Sequence, residues 1–158
     1  YKIPTDIRQE RITEYASMFG ILDVLNARIS SFSHGMKQKL FLTASLVTDP
    51  HNWILDEPMV GLDPDAAFKL KELMRKRASE GKTVFFSTHV LEVAEKLCDR
   101  IGIINKGKLI YEGTMNDIKE NYHIIDDNCE TDAYWIDIND FKNNNKILGN
   151  TLKIEKVP

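Results

Sequence analysis

The sequence predicts an α/β fold built from parallel βαβ units, and three observations lead there. Two short apolar runs, Trp53-Ile54-Leu55 and Thr83-Val84-Phe85-Phe86, have the length and the aromatic and β-branched content of strands. A charged stretch with helical spacing, about Asp65 to Glu80 and stopped by Gly81, lies between them. A second helical stretch, roughly Val90 to Cys98, follows the second run with Val90, Val93, Ala94 and Leu97 on one side. Strand, helix, strand, helix with continuously apolar strands is the pattern of parallel sheets, so Trp53-Ile54-Leu55 is expected to be buried on both faces.

The remaining elements follow in chain order. Residues 5 to 19 carry Ile7, Ile12, Tyr15 and Phe19 among charges, with Pro4 and Thr5 before them and Gly20 after. That is an amphipathic helix with a plausible start and a glycine stop. A short helical piece is expected over Leu22 to Asn26. Ser33 stands where an N-cap belongs, ahead of a helix with Leu40, Phe41, Ala44 and Val47 as its apolar side. Asp49-Pro50 ends that helix, because a residue before proline is pushed out of the α region. Past Arg100, Ile101 to Ile104 and Leu109 to Tyr111 flank Asn105-Lys106-Gly107-Lys108 and read as a hairpin. Thr114 and Asp117 have capping-box spacing and open a brief helix to about Tyr122. From His123 onward the pattern weakens; Ala133 to Ile138 alternates like a strand, and Asn143 to Asn145 is a polar loop tract.

Bulk properties narrow the function classes. The 158 residues allow one compact domain, and 42% hydrophobic with 28% charged residues is the make-up of a soluble globular chain. A net charge of -3 carries no basic footprint for nucleic acid. Cys98 and Cys129 share no metal-ligand spacing with each other or with histidines, so two thiols in a reducing compartment are expected. No apolar run reaches the roughly 18 residues of a membrane helix, and no signal peptide is visible. The chain is expected in the cytoplasm, able to reach a membrane through a partner.

Both apolar runs end in polar groups, Asp56-Glu57 after the first and Ser87-Thr88-His89 after the second. In open α/β sheets ligands bind outside the carboxyl ends of the strands. Two adjacent carboxylates repel each other, which calls for a cation or a proton-transfer task. Magnesium suits such a pair, since it takes one or two carboxylates plus phosphates and waters. Alone, each feature has an ordinary explanation: a strand giving way to a solvated turn, a simple helix cap at Ser33, a packed or surface histidine at 89. Their joint order, with Gly61-Leu62-Asp63 directly after the carboxylates, outweighs those explanations.

As a set, these residues resemble the ATP-binding subunits of ATP-binding-cassette (ABC) transporters. Phe32-Ser33-His34-Gly35-Met36, continuing Lys37-Gln38, is similar to the signature motif, and Trp53 to Pro58 to the Walker B strand with its following glutamate. Gly61-Leu62-Asp63-Pro64 resembles the D-loop, Ser87-Thr88-His89 the H-loop, and Cys98 to Gly113 the strands that follow. The likeness covers about residues 1 to 120. It implies that Asp56 holds Mg²⁺ through a water, that Glu57 polarises the water attacking the γ-phosphate of ATP, and that His89 reaches both. It implies that Ser33 and Gly35 grip the γ-phosphate of a nucleotide held by the opposite subunit, where a helix N-terminus presents N–H groups. Asp63 would communicate across that dimer interface. His34 and Met36 depart from the commonest signature, so those positions are expected to be permissive, and Gly35 to be needed for close approach to phosphate.

The resemblance also has a gap. Nowhere do the 158 residues contain Gly-x-x-x-x-Gly-Lys-Ser/Thr, the family's phosphate cradle, nor its glutamine loop. The expectation is a C-terminal piece: a partial P-loop NTPase fold with a helical signature subdomain (1–50), a truncated parallel sheet in the ATPase core (51–122) and a C-terminal extension of unknown role (123–158). Such a piece is expected to be inactive alone, and to self-associate through the uncovered edge of the Thr83–Phe86 strand. The implied parent protein is a transport ATPase, more in the form of exporters, paired with a membrane permease at the cytoplasmic face. A non-transport ATPase of the same superfamily, or a non-enzymatic interaction module, is the alternative.

Overall fold

The computed structural model describes residues 3–105 and 107–117. Seven of the expected elements stand within a residue or two of their sequence positions: α1 (Thr5–Met18), α2 (His34–Val47), β1 (Asn52–Leu55), α3 (Pro64–Ser79), β2 (Thr83–Phe86), α4 (Leu91–Leu97) and the hairpin β3 (Ile101–Asn105) with β4 (Lys108–Gly113). Leu22–Val24 forms a 3-10 turn, and Ile29–Ser31 a second. The expected strand at 133–138, the loop at 143–145, Cys129 and the helix beyond 117 lie outside the described residues.

The chain divides into two compact units. The first, residues 1–53 with 58–82, is helical. α1 packs on α2, and the buried set includes Ala16, Phe19, Leu42, Leu46, Trp53, Leu70 and Met74. Trp53 is anchored at both ends: its indole N–H donates to Ser45 Oγ (2.9 Å), and the Arg77 guanidinium lies over its ring at 5.5 Å. Arg77 is itself 3% exposed, so its charge has to be met inside. Asp49 Oδ1 accepts from Arg77 Nη1 (2.9 Å) and Lys82 Nζ (2.8 Å), and the Pro50 carbonyl accepts from Arg77 Nη2. These hydrogen bonds, Lys82 first and then Arg77, hold the Asp49 carboxyl below its usual range. Asp49 sits at φ +46°, in the left-handed region that Asp tolerates better than most residues.

The second unit, residues 54–57 with 83–158, holds β2, α4 and the hairpin. β1 and β2 form a two-stranded sheet, and Ser87 N–H donates to the Leu55 carbonyl (3.0 Å) just past both strand ends. Bonding carboxyl end to carboxyl end makes the pair parallel, as a strand–helix–strand crossover requires. β3 and β4 pair antiparallel with an irregularity at Ile103/Ile104. Ala94 and Ile101 are fully buried there, with Cys98, Ile103, Tyr111 and Met115 packed against them. The Thr114–Asp117 capping box closes reciprocally: Thr114 N–H donates to Asp117 Oδ2 (2.9 Å), and Asp117 N–H to Thr114 Oγ1 (3.2 Å).

Two expectations about burial fail. The buried side of α2 is Leu42, Thr43, Leu46 and Val47, while Phe41 is 71% exposed and Ala44 is exposed. Adjacent apolar residues on a helix leave two possible stripes, and α1 packing selects the one containing Leu42 and Leu46. β1 is covered on one face only: Trp53 is 2% exposed but Ile54 is 72% exposed. A continuous apolar run is buried on both faces only where layers cover both, and among the described residues nothing covers Ile54.

Candidate functional site

The first cluster lies at the carboxyl ends of β1 and β2, wholly within the second unit. Asp56 and Glu57 leave β1 where Ser87, Thr88 and His89 leave β2. Ser87, 8% exposed, ties the two exits together: its Oγ donates to Asp56 Oδ1 (2.5 Å) and accepts from Glu57 N–H (2.8 Å). Glu57 is at φ +41°, a backbone region unfavourable by roughly 1–2 kcal/mol for an L-residue with a side chain. Such strain persists only where the surroundings fix it, and here the Ser87 hydroxyl holds the Glu57 N–H. Glu57 Oε1 lies 2.8 Å from His89 Nδ1, with the side chains 31% and 63% exposed. That contact orients the imidazole and leaves Nε2 for another partner. Thr88, 2% exposed, accepts from Val90 N–H (3.2 Å) and steadies the turn that carries His89.

Of the expected site residues, Asp56, Glu57 and His89 thus share one solvent-open rim. The two carboxylates divide their partners, one to the Ser87 hydroxyl and one to the imidazole, so each has a donor despite their adjacency. Among the described residues, Asp56 Oδ2 accepts no hydrogen bond, which leaves a hard oxygen at the surface.

The second cluster, in the first unit, brings together Ser33, Gly35 and Asp63. Ser33 caps α2, accepting from Met36 N–H (3.2 Å). α2 then lies against the 58–63 turn. A Cβ at Gly35 would stand 2.5 Å from the Gly61 carbonyl oxygen, and one at Gly61 (φ +79°) would stand 2.6 Å from His34 Cδ2. Gly35 is therefore required by a neighbouring backbone within its own chain, a reason the sequence did not offer, and His34 packs where a permissive position was expected. Gln38 Nε2 donates to the Pro58 carbonyl (3.2 Å). Asp63 caps α3 through Oδ1, which accepts from Ala66 N–H (2.9 Å), and pairs through Oδ2 with Lys39 Nζ (2.6 Å). The Lys39 hydrogen bond, then that from Ala66, brings the Asp63 pKa down to about 2.

Sequence reasoning missed Lys39 and the linking role of Ser87. The i,i+4 spacing of Gly35 and Lys39 was the one available signal for Lys39; for Ser87 the signal was its place directly after a strand, which does not say which hydroxyl turns inward.

With this geometry in view, similarity to known proteins is informative. Residues 19–95 match the family described as "AAA domain, putative AbiEii toxin, Type IV TA system", a P-loop ATPase family. An ABC transporter ATP-binding protein of Nostoc is 31% identical over 85% of this chain and 46% of its own. The ABC transporter ATP-binding protein NatA of Bacillus subtilis is 35% identical over 70% of this chain and 45% of its own. The Nod factor export ATP-binding protein I of Rhizobium etli is 43% identical over 60% and 30%. A solved ATP-binding subunit of an ABC transporter superposes with a TM-score of 0.71 at 33% identity, over 75% of this chain and 50% of that one. The fold is that of part of a P-loop ATPase. Within that class, the relatives it is similar to are ABC transporter ATP-binding proteins. It spans less than half the length of the curated relatives named.

Proposed function

We propose that this chain supplies the hydrolytic rim and the signature helix of an ABC transporter's ATPase subunit, one that couples ATP hydrolysis to export through a membrane permease. The observation that carries the reading is the Glu57–His89 contact of 2.8 Å at the ends of two parallel strands, with the neighbouring Asp56 carboxylate tied to the Glu57 backbone by the Ser87 hydroxyl. A carboxylate held by an imidazole at an open rim is equipped to orient and polarise a water. Phosphoryl transfer asks for little more than positioning and charge stabilisation. Glu57 is the general base in this scheme, and His89 Nε2 faces the γ-phosphate and the attacking water.

The residues present fit a magnesium ion, because Asp56 offers an exposed carboxylate oxygen and its other oxygen is fixed by Ser87. Asp56 would hold it; when bound, the ion neutralises phosphate charge. Ser33 and Gly35 would present the N-terminus of α2 to the γ-phosphate of a nucleotide held by a second subunit. The phosphate-cradling glycine loop is contributed by other polypeptide, since none of the 158 residues forms that motif. For that reason the chain alone is inactive and binds magnesium-ATP no tighter than millimolar, so micromolar affinity in calorimetry refutes this part. No helix among the described residues is long and apolar enough to cross a membrane; in this scheme a permease holds the chain at the cytoplasmic face.

The test is ATP hydrolysis by the chain joined to a segment carrying the missing phosphate loop. Glu57→Gln, which keeps shape and removes the base, should lower turnover by about 10²–10⁴-fold with nucleotide still bound. Unchanged turnover would reject Glu57 as the base. No turnover in the joined parent would favour a non-enzymatic module, and activity without permease co-purification a non-transport ATPase.

A further inference from the structure

We propose that Lys39 is a positioning residue that locks the Met59–Asp63 turn onto the first two turns of α2, so that the helix N-terminus and Asp63 move as one body. That this N-terminus grips phosphate rests on the function proposed above; the lock itself does not.

Four contacts run along one side of α2. His34 and Gly35 meet Gly61, and one turn later Gln38 reaches the Pro58 carbonyl and Lys39 reaches Asp63. Residues 34 and 38, and 35 and 39, are i,i+4 neighbours, so two adjacent rows of the helix face the turn. Lys39 is the one that brings a full charge. Its side chain is only 16% exposed, whereas a lysine free to choose keeps its ammonium in water. An ammonium drawn under a turn needs an acceptor, and Asp63 Oδ2 at 2.6 Å is that acceptor.

The same carboxylate caps α3 through Oδ1, so one side chain ties the start of α3 to α2. Lys69, the first cation along α3, is engaged by Asp65 at 2.7 Å. Without Lys39, the turn keeps the Gln38 bond and its internal Leu62 N–H to Met59 carbonyl bond (3.2 Å). Both oxygens of Asp63 are thus engaged inside the chain. Its contribution at a dimer interface is to fix where the turn and the helix N-terminus stand relative to each other.

The test uses the 158-residue chain and needs no nucleotide. The Asp63 carboxyl carbon is followed by NMR from roughly pH 1.5 to 6 in the native chain, Lys39→Gln and Lys39→Arg. Lys39→Gln should raise the midpoint from about 2 toward the ordinary 3.8. It should also speed exchange of the Leu62 and Ala66 amides at least about threefold with the melting temperature little changed. Lys39→Arg should restore both. Should Lys39→Gln fail to fold, Asp63→Asn keeps the helix cap but offers Lys39 no charge, and Leu62 exchange should still rise. A midpoint that stays near 2 in Lys39→Gln, no rescue by Lys39→Arg, or unchanged Leu62 exchange overturns the lock. Each of these leaves the ATPase reading standing, and failure of that reading leaves the lock measurable.

Discussion

Gly35 is under a constraint that its place in the motif does not announce. Its position in the motif marks it as special, and close approach to phosphate is the reason the sequence offers. The nearest obstacle is the Gly61 carbonyl, 2.5 Å from where a Cβ would stand. Alanine would gain up to about 1 kcal/mol of helix propensity. Against that, a backbone carbonyl inside the contact limit forces the helix and the turn apart, at about 1–3 kcal/mol. Gly35→Ala should therefore destabilise the chain in urea denaturation despite the better helix former; a stabilised variant would show the turn to be pliable. Asp49 makes the complementary case. Replacing it with Asn keeps the shape and the left-handed backbone but removes the charge facing buried Arg77. We expect a loss of about 2 kcal/mol at neutral pH, below the full cost of breaking a buried pair because Arg77 keeps the Pro50 carbonyl. The sign with pH is fixed by the lowered Asp49 pKa. The stabilisation is present above the ordinary carboxylate range and is lost as pH falls through the depressed folded value, so the native and Asp49→Asn unfolding curves should converge in acid.

At the scale of elements, boundaries were legible because they are set locally. Ser33 caps α2, Asp63 caps α3 with Pro64 at its first position, and Gly20 and Gly81 take positive φ just past α1 and α3. Ser33→Ala should cost α2 about 1 kcal/mol, read as faster amide exchange at Met36 and Lys37. An unchanged rate would mean that the turn contacts, and not the cap, hold the helix start. Which face an element buries was far less legible. Leu40, Phe41 and Leu42 are consecutive apolar residues, and periodicity alone selected the stripe that leaves Phe41 at the surface. The acidic pair was found because a strand end constrains where residues 56 and 57 go. The pairing of Glu57 with His89, 32 residues away, could be expected only from the resemblance.

At the scale of the whole molecule, β2 has β1 as its only partner among the described residues, which leaves a strand edge of Thr83–Phe86 without a ladder. Such an edge pairs readily with another chain. Light scattering should give a mass that rises with concentration, and a mass that stays monomeric at high concentration would refute self-association.

By itself, the sequence determined the elements, their caps and the order of the polar groups, because capping, turn chemistry and strand length act over a few residues. Only the tertiary structure decided which carboxylate meets which donor, which stripe of α2 is buried and why residue 35 admits no side chain. Those outcomes depend on atoms brought together from distant parts of the chain, and local pattern carries no record of the partner.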